Sequence, residues 1–314
     1  PIRVIAEDGS EKIYNINITR KGEGKELKSE IMKNTVITAN PTLTTSSNNT
    51  SDASGLYKST ATNTGEATYY FRGNVTNNYV KFSDFYCRII RINGDGTVRV
   101  IYDGTSAHAN GESSSDRQIG TSAFNSSYND NAYVGFMFGA ANASSYAAAH
   151  VNTNPSTILT NLNKWYTNVL SKQTGFSDNK LADTIWCNDK SVVTDTTFNP
   201  GNYTLGTTYG YAKNKNYYSA TQRLVQASSW SAGGTGPSLI CPNDHTGGKL
   251  SKFTVSDTTN GNGALSGYAK VGLLTADEIA LAGGAYGKTN TTYYIKGNSN
   301  AGYWWALSPF GFSG

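Results

Sequence analysis

The sequence is short of charge, cysteine, histidine and long apolar runs, and each shortage excludes something. Asp, Glu, Lys and Arg together make up only 15% of 314 residues, and the net charge is +4. The lysines are scattered, so there is no basic stripe for nucleic acid. No run approaches the ~18 apolar residues of a membrane span. His108, His150 and His245 lie in polar stretches without a Ser or Cys nucleophile pattern beside them, and a triad needs nucleophile and base oriented together. They read as solvated loop residues. With 3 cysteines, zinc has little to hold it: Cys241 and His245 form only half a site.

What is present is a loop-rich aromatic chain, with 21 tyrosines and 33 glycines against 2 methionines. At 37% hydrophobic and 12% aromatic residues the chain can build a core, which excludes wholesale disorder. Its length fits two domains, or one large and one small. The opening Pro1-Ile2-Arg3 reads as the middle of something, a fragment boundary with room for a signal peptide upstream. Composition and cysteine usage point indirectly to export.

Cys187 and Cys241 share a context. Each sits at the edge of a short apolar segment and runs into Asn-Asp turn chemistry, IWCND and LICPND. A Cys187–Cys241 disulfide is expected, closing a loop of ~50 residues worth ~4 kcal/mol on the chain-entropy account. Cys87, within DFYCRII, reads as a small apolar core residue.

Along the chain, residues 1–20 alternate as a β-hairpin, with Ile2 and Val4 before a turn at residues 7–10 and Ile16 and Ile18 after it. Residues 21–54 form a polar linker. From Gly55 the stretch YYFRGNVTNNYVKFSDFYCRIIRINGDGTVRVIYDG reads as three strands, with NGDG as a tight hairpin turn. A calcium loop at NGDG would need further downstream carboxylates, and they are absent; no cofactor is indicated and calcium elsewhere stays open. NPSTILTNLNKWYTNVL is a helix with Asn154 as N-cap, Pro155 first, and Ile158, Leu162, Trp165 and Val169 in one stripe.

The stretch VGLLTADEIALAGG raises the question of catalysis. Thr275 and Glu278 have capping-box spacing, and Gly283 and Gly284 close the helix. Adjacent Asp277 and Glu278 point ~100° apart on a helix and cannot face one substrate as a glycosidase pair does. They read as helix punctuation, not as catalytic acids.

LLTADEIALAGG is similar to a segment of formylglycine-generating enzymes and their sulfatase-modifying relatives, which have a C-type-lectin-like fold shared with retroelement-diversified variable proteins. The ordered set YVKFSDFYCRIIRINGDGTVRVIYDG, TIWCNDKS, LICPND, VGLLTADEIALAGG and YWWALSP more closely resembles an uncharacterised surface-protein domain of gut Firmicutes, over residues 55–314. Residues 1–20 resemble the last two strands of a cadherin-like β-sandwich repeat. The resemblance implies an α+β chain: the end of a β-sandwich, a linker, and a C-type-lectin-like domain with long irregular loops, truncated at its C-terminus. The redox cysteine pair of formylglycine-generating enzymes has no counterpart, since no cysteine follows Cys241.

The function expected is recognition, not catalysis: an adhesin-like surface protein binding a glycan or protein ligand. Tyr209, Tyr211, Tyr217, Tyr218 and Trp230 are the candidate contacts on Gly- and Asn-rich loops, with Tyr303, Trp304 and Trp305 near the end. For the loop tyrosines a lid over the core, and for the last three core packing of a terminal strand, stand as the alternatives. A second function is structural: a subunit of a surface filament, pilus or phage fibre that associates with its own copies by strand exchange.

Overall fold

The computed structural model describes residues 2–5, 11–14, 25–41, 53–127, 131–140, 143, 145, 148–149, 151–182, 186–191, 218, 220, 223–224, 236–241, 252–253, 270–284, 293–295 and 304–309. The chain is α+β. Its centre is β7 (Phe85–Ile92), FYCRIIRI, whose β-branched and aromatic residues suit a strand buried on both faces. β6 (Tyr79–Phe82) pairs with the first half of β7, and β5 (Thr68–Arg72) with Arg91 and Ile92 on the same edge. β8 (Val98–Gly104) covers the opposite edge. Beyond β5 come β4 (Gly55–Ser59) and the parallel β3 (Val36–Ile37). Beyond β6 lie β1 (Ile2–Ile5) and β2 (Glu11–Tyr14), so the N-terminal hairpin forms and lies along the sheet through Arg3 opposite Lys81.

The NGDG hairpin is present: the Asn93 N–H donates to the Thr97 carbonyl at 2.8 Å, and Gly96 takes φ +88°. Two expectations need correction. VKFSDFYCRII is two strands, because Ser83 (φ 55°) and Asp84 turn the chain and place Phe82 opposite Phe85. The expected linker is partly structured: α1 (Lys25–Ile31) buries Leu27 and Ile31 against Ile89, Ile90 and Ile92. Their i, i+4 spacing sits inside a charged run, and the charges masked it.

The next helix, α2 (Thr157–Asn168), starts two residues later than the Asn-Pro signal suggests. Ser156 is its N-cap, accepting from the Leu159 N–H at 3.2 Å. Asn154 and Pro155 form β10, paired with β9 (Met137–Phe138). The strand pairing holds Pro155 extended, so the proline does not open the helix. Ile158, Leu159, Leu162 and Tyr166 are the buried stripe, and Trp165 packs between Phe85 and Tyr102.

The last helix, α3 (Ala276–Ala282), is capped at both ends by its neighbours. Thr275 and Glu278 complete the capping box at 3.0 Å each way, a feature worth about 1 kcal/mol. At the other end buried Arg72 of β5 donates to the carbonyls of Ala280 and Leu281, both at 2.8 Å. The expected glycine stop is there, with Gly283 at φ +120°. The Cys187–Cys241 disulfide is formed with a Cα–Cα distance of 5.4 Å, Cys187 lying in β11 (Trp186–Cys187), which pairs with β12 (Lys252–Phe253). Cys241 is thereby unavailable to zinc. Cys87 is a buried free thiol, pushed up to about 12 by burial.

Candidate functional site

The acidic pair of α3 lies on the floor of a cleft of ≈ 160 Å³. Strands and turns bring its walls together. The NGDG tip presses on the turn at 62–66 so closely that a Cβ on Gly94 would sit 2.4 Å from Glu66. A second wall is Ser238–Ile240, tied to the start of that turn by the Leu239 N–H to the Ala61 carbonyl (3.1 Å) and the Cys241 N–H to Asn63 Oδ1 (2.8 Å). Beside these bonds the disulfide fastens the same segment to β11.

The floor is a set of ion pairs. Glu278 Oε1 accepts from Arg91 Nε at 3.0 Å and lies 3.1 Å from Arg99 Nε, while Oε2 accepts from the Thr275 N–H. Asp277 takes a two-pronged contact from Arg223, at 3.1 and 2.9 Å, and the Ser238 N–H at 2.8 Å. Arg223 also reaches Asp189 at 2.9 Å. Arg99 lies 4.4 Å over the Trp186 ring; burial pushes it down to about 10, still a cation at neutral pH. Burial raises the Asp277 carboxyl, with Arg223 opposing it; the bidentate geometry is that of a carboxylate. Both acids thus have scaffold partners as well as the helix cap. The arginines were the missed signal: Arg88, Arg91 and Arg99 stand inside otherwise apolar strands, and a buried charge needs a partner.

His108 corrects the expectation of a solvated loop histidine. It is 6% exposed, held between Glu112 Oε1 on Nδ1 (2.8 Å) and Asp116 on Nε2 (3.0 Å). Its carbonyl accepts from Arg88 and Tyr79, and Asp103 pairs with both Arg88 and Arg117. Ser106 Oγ lies 3.4 Å from Nε2, but Asp116 is closer and takes that proton, so the ring is not a base for Ser106. Burial alone would lower the imidazole; the two carboxylates outweigh it and hold His108 above its ordinary value. This contribution to stability is complete below pH ~6.5 and is lost as pH rises through the raised folded value. Thermal melts from pH 6 upward should therefore fall more steeply for the wild type than for His108→Gln. Parallel slopes would remove the imidazolium from the account.

Of the expected contact residues, Trp304 and Trp305 are 45% and 49% exposed. Trp305 Nε1 donates to the Ser122 carbonyl at 2.8 Å and its ring meets Phe124 edge-on at 5.5 Å. Core packing of these two is thereby excluded; Leu307, two residues on, is the one fully buried. Tyr218 is corrected: at 0% exposure it is interior and removed from the contact set. Tyr209, Tyr211, Tyr217, Trp230 and Tyr303, with His150 and His245, lie outside the described residues. Among the described residues no group of three or more His, Cys, Asp or Glu could hold a metal ion, and no helix is long and apolar enough to cross a membrane. Asp95 Oδ1 of the NGDG turn accepts from the Thr97 N–H and hydroxyl, as a hairpin carboxylate does. No protein-family model, curated protein or solved structure matches the chain.

Proposed function

We propose that this is an extracellular, surface-displayed bacterial binding protein, not an enzyme, whose main domain is C-type-lectin-like and recognises a glycan or protein ligand in the manner of an adhesin. The observation that carries the reading is the exposed pair Trp304 and Trp305, one ring anchored by Ser122 and Phe124. Rigid, solvent-facing indoles give large contact area with few rotamers to freeze, and they dominate binding energies where they occur. The acids and the histidine that a hydrolase would use are instead engaged in ion pairs. The Trp304→Ala, Trp305→Ala double variant should bind a responding glycan array or host-cell preparation about tenfold or more weakly while its melting temperature holds. Equal binding by the two proteins would remove the indoles from the site. Strand exchange into a filament is the second reading. It is favoured by β8, which among the described residues pairs with β7 alone and exposes Val100. Concentration-dependent fibres in sedimentation and electron microscopy would select it.

A further inference from the structure

We infer that the cleft above α3 binds one neutral sugar ring; the inference deepens the recognition reading and rests on it. Charge decides the ligand class first. The floor sets Arg91, Arg99 and Arg223 against Asp189, Asp277 and Glu278, three cations paired with three anions. The rim adds two exposed carboxylates, Glu66 and Asp95. An anionic ligand meets those rim acids, and a cationic one meets guanidinium groups on the floor. A neutral ligand meets neither penalty.

Hydrogen-bond polarity then narrows the class. The Arg91 and Arg223 side chains remain 14% and 15% exposed, each oriented by its carboxylate partner. They offer fixed donors below, while Glu66 and the second oxygen of Asp95 offer acceptors above. A hydroxyl can accept from a guanidinium and donate to a carboxylate at once, so a polyhydroxylated ligand satisfies both layers. Leu239 and Ile240 supply an apolar side, with Ile240 47% exposed, for the C–H face of a ring. Size sets the number of rings: drug-sized ligands occupy roughly 300–1,000 Å³, and ≈ 160 Å³ admits a single ring.

The walls are already in place. The disulfide, the Asn63–Cys241 bond and the Asp277–Ser238 bond fix the Ser238–Cys241 side before any ligand arrives, which reduces the ordering needed on binding. Ser308 also lines the cleft, three residues after Trp305, a chain distance of roughly 11 Å at most. A glycan whose terminal ring enters the cleft therefore has the indoles within reach of its following units.

The test uses saturation-transfer NMR and titration of the full chain with a panel of neutral hexoses and N-acetylhexosamines. Uronic acids, sialic acid and amino sugars serve as charged counterparts. At least one neutral saccharide should bind, with its charged analogues at least tenfold weaker. The Glu66→Ala, Ile240→Ala double variant, altered only at exposed rim positions, should lose at least tenfold in affinity with an unchanged near-UV spectrum. No transfer to any neutral saccharide, or preference for a charged analogue, overturns the inference. Binding untouched by the rim variant but lost in the Trp304, Trp305 variant would also overturn it, while leaving the recognition reading in place. Loss in neither variant would sink both.

Discussion

Replacing Glu278 with alanine should lower the unfolding free energy by about 3–5 kcal/mol, the usual result of stripping one partner from a buried ion pair. Three groups lose their acceptor at once: the guanidinium of Arg91, that of Arg99, and the Thr275 N–H at the start of α3. Arg99 is 6% exposed at its side chain, so water from the cleft replaces the lost oxygen poorly. Glu278→Gln should be intermediate, since an amide oxygen can still cap the helix but cannot neutralise two cations. The same group sets an acid limit. Burial alone would raise its pKa; Arg99, Arg91 and the Thr275 N–H prevail and hold it below the ordinary 4.5. Its stabilisation is present above about that pH and is lost as pH falls through the lower folded value. Urea unfolding of wild type and Glu278→Ala at pH 7, and again down to pH 3, measures both effects. A difference below about 1 kcal/mol at pH 7 would show that the arginines find other partners.

Opening the disulfide should have an effect of similar size, about 4 kcal/mol for a link across 54 residues on the chain-entropy model. It should also act locally. The Ser238–Cys241 wall would depend on bonds such as those to Ala61, Asn63 and Asp277, so any ligand of the cleft should weaken in parallel. Urea midpoints with and without a thiol reductant, alongside the Cys187→Ser, Cys241→Ser variant, give the number. Coincident curves would mean that the wall holds without the disulfide.

Features with local causes were legible in the sequence. The capping box at Thr275, the hairpin at Asn93–Gly96 and the α2 segment all follow from short-range chemistry, and the structure contains each of them. The disulfide could be read because its two cysteines sit in matching local contexts. Misreadings arose where a distant partner decides. Pro155 marks a helix start unless a strand claims it, and β9 does. The charges of KGEGKELKSE suggest solvent until the sheet offers Leu27 and Ile31 a place to bury. Asp277 looked like punctuation because Arg223, its main partner, is 54 residues away. The cleft was invisible for the same reason: its floor is assembled from four separate stretches of chain.

The reach of Arg72 to the carbonyls of α3, across 208 and 209 residues, sets an order in time. The hairpins of β6, β7 and β8 can zip from neighbouring residues, but the apolar face they share is covered by Leu274, Ala282 and Tyr294. At ~5–20 residues per second, roughly 10 s or more separates synthesis of Ile92 from that of Leu274. During that interval a sheet rich in isoleucine and tyrosine has only Leu27 and Ile31 of α1 over this face, with the rest of its cover still to come. Contacts of this span slow folding, because loop closure must precede the contacts that reward it. Glu278 belongs to the same late arrival, so Arg91 and Arg99 wait with the sheet. A chain that met another copy first would find an unfinished surface presenting two cations ahead of their shared carboxylate, and their mutual repulsion would oppose the pairing of like with like.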